Sequence, residues 1–184
     1  MVVIHDERLE RTTNGQGLVI EQTITYLRSL DAGQGEKIPL LQEVFELVDR
    51  RIGINVELKG PNTAEPTARL LTSLVMQQNW SHDQLLISCF DHHQLKAAKE
   101  FEPKLQVGAL LAGIPLDYAG CAQLLDAWSI HPSLGLVNKA FVEDAHRRGI
   151  KVFPFTLRHE KDVAFLQEIG VDGVFTDYPE LIVK

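Results

Sequence analysis

Gly53-Ile54-Asn55-Val56-Glu57-Leu58-Lys59 reads as a β-strand, because its apolar and polar side chains alternate with the period of two that extended backbone imposes. Ile54, Val56 and Leu58 fall on one face, suited to packing beneath helices, and Asn55, Glu57 and Lys59 fall on the other. A carboxylate and an ammonium two residues apart at the end of a strand suit the joint binding of a metal ion and an anionic ester. The same residues also describe an edge strand with an ion pair on its solvent face. The pattern alone leaves both open.

Working outward, similar β-branched runs stand at 2–5, 85–90, 105–111, 127–131, 151–156 and 172–177, with helical periodicity at about 40–51, 63–79, 91–102, 116–126, 138–148 and 159–169. Local signals support several of these helices. Asp91 and Asn138 stand as N-caps, and Gly149 closes the helix that Asn138 opens. Strands alternating with helices imply parallel βαβ units, either a doubly wound sheet or a (β/α)8 TIM barrel. Two features favour the barrel. No glycine-rich nucleotide fingerprint follows any strand, and polar residues recur at strand ends: His5, Glu57 with Lys59, Ser88, His131, Thr156 and Asp177. In a barrel those ends converge on one mouth, where the chemistry sits. A barrel takes about 250 residues and eight strands, so 184 residues predict a single domain over 1–184 that is an incomplete barrel.

Composition narrows the class of partner. Hydrophobic residues make up 45% and charged residues 23% of the chain, with 18 basic against 25 acidic side chains and a net charge of −7. No basic cluster is present, which excludes a nucleic-acid footprint and a polybasic membrane patch. A phosphate-bearing small molecule stays open, since a metal ion captures phosphate even in an acidic protein. No apolar run approaches the roughly 18 residues of a membrane span, so stable membrane insertion is not expected. Cys89 and Cys121 lack metal-ligand spacing and read as small buried hydrophobes, compatible with a reducing cytoplasm.

Among the histidines, His5 ends the run Val2–His5 and suits acid–base work, because both protonation states of imidazole are accessible near neutrality. His131, just before Pro132, is a candidate to line the mouth and touch substrate, whereas His82, His92, His93 and His159 read as solvated.

The run His5-Asp6-Glu7-Arg8-Leu9-Glu10-Arg11-Thr12-Thr13-Asn14-Gly15-Gln16-Gly17, followed by Thr23 and Leu30-Asp31-Ala32-Gly33, resembles the signature stretch of glycerophosphodiester phosphodiesterases. Further segments resemble that family in order: Ile38–Val44, Val56-Glu57-Leu58-Lys59, Ser88-Cys89-Phe90, Phe155-Thr156-Leu157 and Gly170–Pro179. The pattern is nearest the short bacterial cytoplasmic type. The resemblance implies a TIM-barrel fold of the phospholipase-C-like kind and hydrolysis of glycerophosphodiesters to glycerol 3-phosphate and an alcohol, assisted by Mg²⁺ or Ca²⁺. It implies His5 as general acid, Glu57 as a metal ligand and Lys59 as a phosphate-contacting cation.

The family's His-Arg-Gly, Pro-Glu-Asn-Thr and Glu-x-Asp elements precede the segment that starts here at Val2, and none is present. His146-Arg147-Arg148-Gly149 and Glu160-Lys161-Asp162 resemble two of them by composition only, since each lies at a helix end. The expectations are therefore a barrel lacking its first strand-helix unit and the following strand, impaired turnover, and self-association through an open edge at Val2–His5. A non-catalytic remnant that binds phosphate esters or pairs with another chain is the alternative. A complete enzyme with a rearranged site is a third reading.

Overall fold

The structure, a computed structural model, describes residues 1–182. Five strands form one parallel sheet in sequence order: β1 (Ile54–Glu57), β2 (Leu85–Cys89), β3 (Gln106–Leu111), β4 (Ser129–Pro132) and β5 (Lys151–Val152). The helices α3 (Ala64–Gln78), α4 (His92–Phe101), α5 (Gly120–Leu124) and α6 (Lys139–Arg147) connect successive strands, and α7 (Lys161–Ile169) follows β5. Two helices precede the sheet, α1 (Ile24–Ser29) and α2 (Leu41–Val48). Parallel neighbours require such crossovers, which cover the sheet and bury its β-branched residues.

Helix boundaries follow local chemistry. Asp91 accepts a hydrogen bond from His93 N at 3.0 Å, and Asn138 from Phe141 N at 3.0 Å, so both act as the N-caps their positions predict. Gly149 adopts φ +74° beyond α6, the left-handed conformation that glycine takes without a Cβ clash. The main core runs from Phe45, packed edge-on against Trp80 at 5.1 Å, through Ile87, Val107 and Ile130 to Phe141 and Leu166. Among the described residues no helix is long and apolar enough to cross a membrane.

Three strand expectations change. Residues 2–5 are no barrel strand: Val2 makes one antiparallel bridge to Leu40, and Val3 N donates to Pro39 O at 2.9 Å. The reason is packing, because Val2 and Ile4 join a second, smaller core with Leu9, Leu27, Leu30 and Ile38 rather than the sheet. Among the described residues the strand edge without a partner on this side of the sheet therefore belongs to β1, not to Val2–His5. The run 151–156 keeps regular pairing only over Lys151–Val152; beyond it Phe153 N and Phe155 N still donate to Ile130 O and Pro132 O, and a single bridge joins Phe155 to Ser133. The run 172–177 keeps one parallel bridge, Thr176 to Leu157. The expected helix at 116–126 shortens to α5 because turns closed by Tyr118 N on Pro115 O and Gly120 N on Asp117 O take up its first residues.

Candidate active site

The registers Glu57↔Ser88, Ser88↔Gly108 and Gly108↔Ser129 form one row across the sheet. It lies opposite the face on which Ile54 and Val56 pack against the main core. Glu57 ends this row at β1, and Lys59 follows two residues on. Glu57 Oε1 meets Lys59 Nζ at 2.7 Å, and no aligned hydrogen-bond donor reaches that buried oxygen. Ser88 Oγ in the same row is also buried without a hydrogen-bond partner.

A cavity of about 580 Å³, within the size range of small-ligand sites, includes Glu57 at the end of the row in its lining. His5, Asp6, Glu7 and Arg8 line it together with Lys59 beyond β1 and with Phe90, Asp91 and Gln94 beyond β2. Phe90 sets an edge against Phe155 at 5.7 Å. Thus His5, Glu57 and Lys59, separated by some fifty residues in sequence, come to one place.

The loop that presents His5 is held by its own interior. Leu9 is fully buried; its N–H donates to Gly17 O at 3.0 Å, and its carbonyl accepts from Thr13 N at 3.0 Å and Thr13 Oγ1 at 2.8 Å. His5 Nδ1 lies 2.7 Å from Asp6 Oδ1, and the side chain is 70% exposed. Arg11 donates to both oxygens of Asp6, and together Arg11 and then His5 hold that carboxyl well below the usual carboxylate range. Arg8 is committed to Glu10 at 2.7 Å, and with the Gly17 N–H it lowers the Glu10 pKa to about 2. Asp6, Arg8, Arg11 and Phe90 lie in the stretches that carry the family resemblance, but no sequence period gives them a part in the site.

The residues present do not by themselves fit a divalent cation. Among the described residues no three His, Cys, Asp or Glu side chains converge to hold one. Glu57 offers a buried oxygen free of aligned donors, but a hard cation takes six or more oxygen ligands.

His131 is corrected. It lies fully buried beneath the mouth, with Nε2 at 2.7 Å from Ser129 Oγ and its ring 4.8 Å from that of Phe175. A Cβ on Gly108 would come within 2.4 Å of its Cε1, so the imidazole fills the space above that glycine. Burial lowers its pKa to about 4, and it does not reach the cavity as a substrate contact. His92 is not solvated either, since Nε2 meets Leu110 O at 3.1 Å. His146 pairs with Asp172 at 2.9 Å at the end of α6, away from the cavity, and Asp162 lies in the first turn of α7. Cys89 is buried with Sγ against Leu58 O at 3.2 Å, Cys121 is half-buried, and burial pushes both thiols up.

Residues 1–181 match the model of the glycerophosphoryl diester phosphodiesterase family. A glycerophosphodiester phosphodiesterase of Caldanaerobacter subterraneus subsp. tengcongensis is 34% identical, over all of this chain and 79% of the relative. The structure of an Oleispira antarctica phosphodiesterase in complex with the product sn-glycerol-3-phosphate superimposes with a TM-score of 0.87 and 33% identity, covering 99% of this chain and 77% of that one. A Galdieria sulphuraria structure, at a TM-score of 0.86 and 23% identity over 99% of this chain and 78% of its own, shares the fold. These likenesses give the TIM-barrel-like α/β architecture, of which the five parallel strands are a part.

Proposed function

The chain belongs to the glycerophosphoryl diester phosphodiesterase family, a family of hydrolases, and from that premise we propose that its His5–Glu57–Lys59 cavity cleaves glycerophosphodiesters to glycerol 3-phosphate and an alcohol. The observation that carries this reading is the convergence of those three side chains on one cavity. Support comes also from the Oleispira antarctica relative, which holds sn-glycerol-3-phosphate.

The residues divide the work by their chemistry. The ammonium of Lys59 carries three donors; contact with Glu57 leaves the others for phosphate oxygens, on which charge builds in the transition state. As water oxygen bonds to phosphorus and the bond to the alcohol oxygen breaks, His5 in its imidazolium form gives a proton to that oxygen, while the water's surplus proton passes to solvent, from which His5 is reprotonated. The proton leaves from Nε2, because Nδ1 is engaged by Asp6. Phe90 and the buried Leu58 supply an apolar wall against the carbon part of the ester. Glu57 would be one ligand of Mg²⁺ or Ca²⁺, a Lewis acid that would offset the negative charge of the phosphoryl group. Such an activity belongs to lipid and glycerol metabolism. The two free cysteines agree with a cytoplasmic setting.

The shortage of converging ligands favours a second reading, in which the cavity binds phosphate esters and turns them over only slowly. One experiment separates the two: glycerophosphocholine is supplied with Mg²⁺ or Ca²⁺ while glycerol 3-phosphate release and product binding are both followed. Saturable release, with KM rising at least about tenfold in Lys59→Ala, supports hydrolysis. Binding that Lys59→Ala abolishes, without release, supports the second reading. Neither binding nor release would contradict both.

A further inference from the structure

Arg11 lies outside the cavity wall, yet its guanidinium is committed to the residue that touches His5. Nε donates to Asp6 Oδ2, and Nη2 to Oδ1 at 2.5 Å, a two-pronged grip that fixes the plane of the carboxylate. Oδ1 in turn meets His5 Nδ1 at 2.7 Å, and Nη2 lies 3.5 Å from that same nitrogen. We propose that Arg11 is a positioning residue: by gripping Asp6 it fixes which ring nitrogen of His5 carries the resting proton and which faces the substrate.

The chemistry follows from what each group can do. An ionised carboxylate only accepts hydrogen bonds, so His5 Nδ1 must be the donor and Nε2 the exchanging nitrogen. A freely turning Asp6 would present either oxygen at varied angles, and a rotated His5 would offer Nδ1 to the cavity in part of the population. The guanidinium fork removes that freedom.

An exposed ion pair is ordinarily weak, and Arg11 is 65% exposed. Here the loop assembles the pair in advance. Leu9 is anchored in the small core, and its carbonyl takes both donors of Thr13, so the turn that contains Arg11 is set whether or not the pair forms. Little entropy is then lost in closing the contact. Lysine could keep the charge but not the fork.

The inference rests on His5 being the proton donor, and its test has one arm that does not depend on catalysis. Nitrogen-15 NMR of labelled histidine, recorded at a pH where the imidazole is neutral, reports the tautomer of His5 directly. The intact chain is expected to show the Nδ1–H form. Arg11→Gln should move the population toward Nε2–H, and Arg11→Lys should fall between. In the kinetic arm, Arg11→Gln should lower kcat by about tenfold or more with KM nearly unchanged, the pattern of lost alignment. An unchanged tautomer in Arg11→Gln overturns the proposal, as does a rise in KM at constant kcat, which would make Arg11 a phosphate ligand instead. Should Arg11→Gln fail to fold, an unchanged tautomer in the milder Arg11→Lys overturns it equally, and an intermediate one upholds it. Full activity in a His5 variant would instead refute His5 as the donor while leaving the NMR arm to judge Arg11.

Discussion

Glu57 ends β1 and Lys59 follows two residues beyond it, a spacing that brings their side chains together at the end of the strand. The ion pair between them, at 2.7 Å, orients the carboxylate toward the cavity. If Glu57 supplies a cation ligand, Glu57→Gln should weaken Mg²⁺ or Ca²⁺ binding by at least about tenfold, since a neutral amide is a poorer ligand for a hard ion. Calorimetric titration checks this, with circular dichroism expected to show an unaltered fold; identical titrations would remove Glu57 from the role. Period two made this pair legible in the sequence. His131 shows the limit of the same reasoning. A histidine at a strand end looks like a mouth residue, and what buries it is the absence of a side chain at Gly108, across β3, together with Phe175 far along the chain. Nothing local to His131 signals either.

At the level of elements, the excursion from His5 to Leu40 is stabilised apart from the sheet. Leu9, Leu27, Leu30 and Ile38 form their own cluster, and Arg28, which donates to Ile38 O at 2.8 Å, fastens it to α2 through Glu43 at 2.6 Å. Leu9→Ala should cost this unit about 2–5 kcal/mol through lost burial and the cavity left behind. Because the main core does not include Leu9, the loss should be local. Hydrogen exchange is expected to quicken across residues 5–40 while β2 and β3 amides keep their protection; uniform loss of protection would show one cooperative unit. The caps at Asp91 and Asn138, the alternation along β1 and the short apolar runs of β2 to β4 were legible because each depends on neighbours in sequence. Residues 2–5 and 172–177 were not. Both have strand-like composition, but strand formation needs a partner at the right distance, which composition does not encode.

For the molecule as a whole, the sheet order leaves β1 with one strand neighbour among the described residues. Leu58 N donates to Ser88 O at 2.8 Å, so alternate backbone groups, those of Asn55 and Glu57, point away from β2. Such an edge templates pairing with another chain, and the protein is expected to self-associate there. Asn55→Pro removes one outward donor without touching the β1–β2 ladder, and sedimentation should show a shift toward monomer. Equal association by the variant would place the contact elsewhere.

The proposed hydrolysis turns on His5 delivering the proton that frees the alcohol. Its most direct test compares the intact chain with His5→Ala on two esters of glycerol phosphate, one releasing choline and one releasing p-nitrophenol. A leaving group as acidic as p-nitrophenol needs little protonation. A loss of about two to four orders of magnitude is expected on the choline ester, and a much smaller loss on the p-nitrophenyl ester. Equal losses on both would show that His5 does not donate that proton.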